Sequence, residues 1–167
     1  MNGITGVNHI AVNTADLDRF RRFYEGVLGL DTALVGRLTH DPFLRHGVLE
    51  TGGGPVLHVF EVPGYDPAAE GIPDEIGRRG RVDHFAFVVA DEPALEEVAA
   101  RLRAAGASDG EVRSFGPVLS VHFQDPDGLH LEVTCPEPGW VPEPGELEEE
   151  PGGRAWFDRM VLQSAGG

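Results

Sequence analysis

Two histidines at matching positions of an internal repeat are the residues whose types and spacing most directly suggest chemistry. His9 lies in the segment Gly6–Asp16 (GVNHIAVNTAD), and His84 lies in a near copy, Arg81–Asp91 (RVDHFAFVVAD). The two histidines are 75 residues apart. Because the same residue type recurs at the same place in both copies, we expect two half-sites that face one another.

A second pair of candidate ligands follows at the end of each half. Val56–Phe60 (VLHVF) aligns with His130–Thr134 (HLEVT) 74 residues later, and this alignment matches His58 with Glu132. Imidazole nitrogen and carboxylate oxygen are ligands of divalent transition metals. A single isolated histidine would be explained more simply as a core residue bonded to backbone, but four matched positions favour a metal site. The candidate ligands are His9, His58, His84 and Glu132.

Each half of the chain is predicted to fold in the order β-α-β-β-β, which positions these ligands. Alternating apolar and β-branched residues predict strands, and apolar residues at helical spacing predict one helix in each half. The predicted strands are 4–13, 31–38, 44–50 and 55–62 in the first half, and 81–90, 111–115, 118–124 and 129–134 in the second. Gly29 and Gly106 are predicted to end the helices, and Asp91 to cap the second.

The composition along the chain divides it into four segments. Residues 4–62 and 81–135 are the two modules, and residues 63–80 form a connector rich in proline and glycine, for which a lid over a pocket is an alternative. Residues 136–167 form an acidic tail rich in proline and glycine, which we expect to be extended. A short terminal helix is expected over 154–163.

His122 is a candidate for moving protons beside the metal. A three-residue loop, Pro126–Gly128, with Gly128 in the left-handed conformation would place His122 opposite Glu132 on the same face of a hairpin. Histidine titrates near neutral pH and can act as a general acid or base, although a substrate-binding or structural role is the alternative. By strand alternation Ser120 and His130 share this face.

The remaining candidates have less specific roles. We expect Ser120, His130 and Phe60 to contact a substrate, with core packing as the alternative for Phe60 and support of Glu132 as the alternative for His130. Two other histidines, His40 and His46, are expected at the surface or at a pocket rim. The carboxylates of Asp125 and Asp127 are expected to serve turn geometry, and Cys135 to be a small core residue.

Composition excludes several classes of function. The net charge is −15, which disfavours nucleic-acid and anionic-membrane partners because the long-range field repels phosphate. All 13 basic residues are arginine, which excludes Schiff-base chemistry on lysine and a phosphate-binding P-loop. The single cysteine excludes an internal disulfide and a multi-cysteine zinc site. Without an apolar run of membrane-helix length or a leader-like start, we expect a cytoplasmic protein.

Four motifs together make the sequence resemble the vicinal oxygen chelate superfamily over about residues 4–135. They are Val7-Asn8-His9, Phe23-Tyr24-x-x-Val27-Leu28-Gly29, Val82-Asp83-His84 and Asp125-Pro126-Asp127-Gly128-Leu129-His130-Leu131-Glu132. This superfamily includes glyoxalase I, extradiol dioxygenases, methylmalonyl-CoA epimerase, and fosfomycin- and bleomycin-resistance proteins. The resemblance implies an α+β fold, with two βαβββ modules forming a cupped mixed sheet around the metal. It also implies a homodimer, in some relatives formed by exchange of modules.

The resemblance assigns metal binding to His9, His84 and Glu132. In the glyoxalase and epimerase branches a fourth ligand, usually Glu or Gln, lies where this chain has His58, so the chain departs from those branches here. If His58 binds an octahedral ion, two positions stay open, which suits a lyase or isomerase. If it does not bind, three positions can take a catecholate and O₂. Two histidines and one carboxylate are also the ligand set of non-haem Fe(II) oxygenases.

We therefore expect a metal-dependent enzyme that chelates vicinal oxygens of a small organic substrate, with extradiol-dioxygenase-like chemistry preferred. Fe(II) is the favoured cofactor, with Mn, Ni, Co and Zn as alternatives. The alternative functions are a glyoxalase- or epimerase-like lyase or isomerase and a non-catalytic drug-binding resistance protein. Thiol transfer to fosfomycin is disfavoured because the chain is acidic and lacks lysine.

Overall fold

The computed structural model describes residues 7–38, 44–66, 71 and 82–139. Most of the predicted connector 63–80, the predicted terminal helix 154–163 and His40 lie outside the described residues. In the part of the chain that is described, no helix has the length and hydrophobicity needed to span a lipid bilayer.

Among the described residues of the first half, one α-helix and four strands follow one another in the predicted order. Strand β1 is His9–Thr14, helix α1 is Leu17–Phe23, a π-helical turn covers Tyr24–Leu28, and the remaining strands are β2 (Asp31–Arg37), β3 (Arg45–Glu50) and β4 (Val56–Glu61). Asp16 caps α1, because its side chain accepts a hydrogen bond from the amide of Arg19. Gly29 ends the helical segment with φ 77°, a left-handed conformation that glycine adopts without strain.

The second half repeats this order. Its elements are β5 (Phe85–Val88), α2 (Glu92–Ala104), β6 (Arg113–Ser114), β7 (Val118–Gln124) and β8 (His130–Pro136). The Asp91 side chain caps α2 by accepting from the amide of Ala94, and Gly106 follows the helix with φ 71°. The predicted β-α-β-β-β order is therefore confirmed in both halves.

Each half forms its own four-stranded mixed sheet with the same topology. The strand orders are β1-β4-β3-β2 and β5-β8-β7-β6. Strand β1 is parallel to β4 and β5 is parallel to β8, while the other pairs are antiparallel. Ala11 pairs with His58 in the first sheet, and Ala86 pairs with Glu132 in the second. The alignment of His58 with Glu132 is thus reproduced in the register of the two sheets.

Strand alternation separates a core face from a face that carries the candidate ligands. In β4, Leu57 and Val59 are completely buried, whereas His58 between them is half-buried and points to the opposite face. In β8, Leu131 and Val133 are likewise buried on the core face, and Glu132 between them lies on the opposite face but is also buried. The predicted core role of Cys135 is confirmed, since it is fully buried.

The chain divides into two compact units. The first comprises Met1–Arg81 together with Asp125–Leu129, and the second comprises Val82–Gln124 and His130–Gly167. Segment Asp125–Leu129 is the turn that joins β7 to β8. Gly128 has φ 79°, which is the left-handed conformation that was predicted. The amides of Asp127 and Leu129 both donate to the Asp125 carboxylate, which confirms the predicted turn role of this residue.

The same turn makes further contacts within the first unit that the sequence did not predict. The buried Tyr24 hydroxyl donates to Oδ2 of Asp125 at 2.9 Å. Asp127 accepts from the Thr14 hydroxyl at 2.6 Å and from the guanidinium of Arg19. Burial raises the pKa of Asp125, and burial together with the neighbouring Asp125 carboxylate raises the pKa of Tyr24 well above its usual range. These carboxylates therefore stabilise the first unit as well as shaping the turn.

Candidate functional site

In the second unit the structure brings His84, His122 and Glu132 together. Nε2 of His84 lies 3.2 Å from Oε2 of Glu132, and Nε2 of His122 lies 3.8 Å from Oε1. The backbone explains both distances. His84 immediately precedes β5, which runs parallel to β8, and His122 pairs directly with Glu132 across β7 and β8. The predicted register of His122 opposite Glu132 is confirmed.

The residue before each histidine of the repeat fixes the orientation of the imidazole ring. Nδ1 of His84 lies 2.7 Å from Oδ1 of Asp83, and Nδ1 of His9 lies 2.9 Å from Oδ1 of Asn8. Both partner atoms are acceptors, so a proton on Nδ1 would satisfy each contact, and the Nε2 lone pair of such a neutral ring would be available to a metal. Such a partner on the second nitrogen is characteristic of metal-binding histidines. In the sequence, the signal for these two contacts was that Asn8 and Asp83 directly precede the repeated histidines.

The geometry of His84 and Glu132 fits a pair of metal ligands. Two ligand atoms with bonds of about 2.0–2.2 Å lie about 2.8–3.6 Å apart at neighbouring octahedral or tetrahedral positions. The 3.2 Å between Nε2 of His84 and Oε2 of Glu132 falls in this range. Among the described residues, no group of three or more His, Cys, Asp or Glu side chains is arranged to hold a metal ion. The observation that supports metal binding is therefore this pair.

In the first unit the candidate ligand His58 contacts another histidine. Its Nε2 lies 3.0 Å from Nδ1 of His46, and its ring centroid lies 5.8 Å from that of His9. Burial, followed by the neighbouring rings of His46 and His9, lowers the pKa of His58. His58 therefore favours its neutral form, which can both donate and accept a hydrogen bond.

His46, which was expected at the surface or at a pocket rim, is partly exposed and lies beside His58. His46 is half-buried in β3 and pairs with Phe60 in β4, which places it diagonally beside His58 on the same face. The available signal was strand alternation within β3, combined with the 74-residue offset between His46 and Ser120.

The three predicted substrate contacts have different surroundings. Ser120 is completely buried, and its hydroxyl donates to Oε1 of Glu132. His130 lies at the start of β8, with its Nε2 3.0 Å from Nε2 of Gln124. Phe60 is half-buried, and its ring centroid lies 4.3 Å from that of His58.

The family model described as "Glyoxalase/Bleomycin resistance protein/Dioxygenase superfamily" matches residues 6–133. No curated protein matches the sequence. A glyoxylase/bleomycin resistance protein/dioxygenase domain from Frankia sp. EAN1pec is 26% identical, with 81% of this chain and 100% of that chain covered and a TM-score of 0.62.

Two more distant structures share the fold. The trypanothione-dependent glyoxalase I of Leishmania major is 22% identical, with coverage of 78% of this chain and 86% of that chain and a TM-score of 0.57. The fosfomycin resistance protein FosX of Listeria monocytogenes, solved with Mn(II) and sulfate, is 17% identical, with coverage of 81% and 95% and a TM-score of 0.57. At these identities the similarity concerns the fold alone.

Proposed function

The chain belongs to the glyoxalase/bleomycin resistance protein/dioxygenase superfamily, and we propose that it is a metal-dependent enzyme acting on a small organic substrate with two neighbouring oxygens. Within this class we propose extradiol-dioxygenase-like chemistry, with Fe(II) as the favoured ion and Mn, Ni, Co or Zn as alternatives. A homodimer and a cytoplasmic location stay predictions from the sequence.

The metal ligands in this proposal are His9, His84 and Glu132. The observation that carries it is the 3.2 Å distance between Nε2 of His84 and Oε2 of Glu132. The other ring nitrogen of His84, Nδ1, contacts Asp83. The contact between His9 and Asn8 gives His9 the same Nδ1-bound orientation in the first unit. Two imidazoles and one carboxylate with open positions form the ligand set of non-haem Fe(II) oxygenases.

The surroundings of His58 support the dioxygenase-like reaction over the alternative. Its Nε2 is within hydrogen-bond distance of His46, so ligation through that nitrogen would require His58 to give up this contact. We propose that His58 stays with His46 and faces the substrate, which leaves coordination positions for a catecholate and O₂. If His58 instead occupied a coordination position of the metal, a lyase or isomerase would be favoured.

We assign proton transfer to His122 and substrate contact to His130 and Phe60. A bound divalent ion would act as a Lewis acid that stabilises negative charge on the two substrate oxygens. His122 lies 3.8 Å from the Glu132 carboxylate, so it would reach a hydroxyl of a substrate bound beside that ligand and accept its proton. The ring of Phe60, beside His58, offers an apolar surface to an aromatic substrate.

The test combines metal analysis with turnover. We expect the natively purified full chain to contain a divalent metal and to consume O₂ with a catechol panel. Glu132→Gln should lose both properties, and Glu96→Gln, which changes an exposed carboxylate on α2, should retain them.

Other outcomes would distinguish the alternative functions. Turnover of a hemithioacetal or an acyl-CoA without O₂ would replace the dioxygenase-like proposal with a lyase or isomerase. Absence of bound metal in the native protein, together with failure to bind added metal, would overturn the proposed enzyme and favour a drug-binding protein.

A further inference from the structure

We propose that Ser120 is a positioning residue that makes Glu132 bind the metal through Oε2 alone. This inference rests on the proposed function. The Ser120 hydroxyl donates to Oε1 of Glu132, while Oε2 faces Nε2 of His84 at 3.2 Å. The two oxygens of the carboxylate therefore have different partners, and one of them is already occupied.

The sheet register explains why Ser120 reaches this oxygen. Ser120 in β7 pairs with Thr134 in β8, which makes it the diagonal neighbour of Glu132 on the same face. Ser120 has no solvent exposure, and Glu132 is only 8% exposed. A completely buried hydroxyl is poorly placed to meet a substrate, so we assign Ser120 to the orientation of Glu132 and not to substrate binding.

The first unit uses the corresponding position in the same way. His46 precedes Ser120 by 74 residues, the same offset that separates His58 from Glu132. His46 pairs with Phe60 as Ser120 pairs with Thr134. In both units this diagonal side chain contacts the polar residue at the equivalent position of the last strand. An imidazole contacts His58 in the first unit, and a hydroxyl contacts Glu132 in the second. The recurrence supports an orienting role, because the two side chains differ in size and chemistry but contact the equivalent residue.

The hydrogen bond has a specific consequence for coordination. The terminal torsion of a glutamate is soft, so an unrestrained carboxylate can rotate and bind a metal through both oxygens. A hydrogen bond from Ser120 to Oε1 opposes this rotation and favours binding through Oε2. One more coordination position then stays available to the substrate.

The test measures Mn(II) binding to the metal-free full chain by calorimetry, and the visible absorption of the Co(II)-substituted protein. Loss of an outer hydrogen-bond partner typically weakens metal binding by about 10- to 100-fold, and we expect this loss for Ser120→Ala. The Co(II) bands of Ser120→Ala should weaken, because a carboxylate that binds through both oxygens raises the coordination number. The near-isosteric Ser120→Cys, a weaker donor, should show an intermediate Mn(II) affinity.

Thr134→Val is the matched control. It removes a hydroxyl from the residue that pairs with Ser120, but that hydroxyl donates to the backbone oxygen of Phe87 and not to Glu132. We expect its Mn(II) affinity and Co(II) spectrum to match those of the unaltered protein. The melting temperature of each metal-free variant separates a general loss of stability from an effect on the ligand.

Several outcomes would overturn the inference. Unchanged Mn(II) affinity and an unchanged Co(II) spectrum in Ser120→Ala, with normal binding by the unaltered chain, would refute the role of Ser120 alone. Equal weakening of Mn(II) binding in Ser120→Ala and Thr134→Val would also refute the role of Ser120. If Ser120→Ala does not fold, an affinity of Ser120→Cys equal to that of the unaltered chain would decide against it. Failure of the unaltered chain to bind Mn(II), Co(II) or Fe(II) would overturn the proposed function as well.

Discussion

Replacement of Tyr24 by phenylalanine should measure how strongly the β7–β8 turn is held in the first unit. The Tyr24 ring is fully buried and stacks on Phe20, with ring centroids 4.1 Å apart, and its hydroxyl donates to Oδ2 of Asp125 at 2.9 Å. Tyr24→Phe retains the stacked ring and removes the hydroxyl that makes this hydrogen bond. Because the acceptor is a carboxylate, we expect a loss of about 1.5–3 kcal/mol in the free energy of unfolding.

Urea denaturation followed by circular dichroism provides the assay. The transition midpoint should fall with an unchanged m-value, because the surface exposed on unfolding is the same. For a chain of this length the expected loss corresponds to a decrease of about 3–12 °C in the melting temperature. Asp125→Asn and the double variant complete a double-mutant cycle, in which direct contact predicts a coupling energy above about 0.5 kcal/mol.

The pH dependence of the same pair gives a second check. Burial raises the pKa of Asp125, whereas the hydrogen bond from Tyr24 lowers it. The hydroxyl therefore stabilises the ionised carboxylate, and the difference in stability between the two proteins should narrow as pH falls through the raised pKa of Asp125 and the carboxylate becomes protonated. A loss below about 0.5 kcal/mol at neutral pH, or a loss that does not change with pH, would refute this account.

Three further predictions concern His122, the cap of α2 and the ionisation of Asp125. His122→Gln should reduce turnover by about 100- to 10,000-fold while Mn(II) affinity is retained, and a parallel loss of both would contradict a proton-transfer role. Asp91→Ala removes the cap of α2 and should lower the free energy of unfolding by about 1 kcal/mol in urea denaturation, whereas an unchanged midpoint would contradict the cap. Because the pKa of Asp125 is raised in the folded chain, the protonated carboxyl contributes to the free energy of unfolding at low pH. This contribution is lost as pH rises through the raised pKa. The asparagine of Asp125→Asn cannot ionise, so the free energy of unfolding of this variant should lack this decrease with pH. If its stability changed with pH in parallel with that of the unaltered chain, the prediction would be contradicted.

The sequence by itself determined the order of the elements and the faces of the strands. Both properties are local, because strand alternation sets the side of each residue, and caps and left-handed glycines set the ends of the helices. The position of His122 opposite Glu132 was also predictable, since the short turn at Gly128 sets the register of that hairpin. The contacts of His9 with Asn8 and of His84 with Asp83 were within reach of the same reasoning, because the partners are adjacent in the chain.

Other contacts were decided by strand pairing and by the closing of the core. His46 meets His58, and Ser120 reaches Glu132, because β3 pairs with β4 and β7 with β8 in a particular register. Tyr24 and Asp125 are 101 residues apart in the chain and yet share a buried hydrogen bond. Residue type and local periodicity carry no information about which distant side chains become neighbours. That choice is made when strands pair and the core closes, because only then do buried polar groups acquire the partners that burial requires.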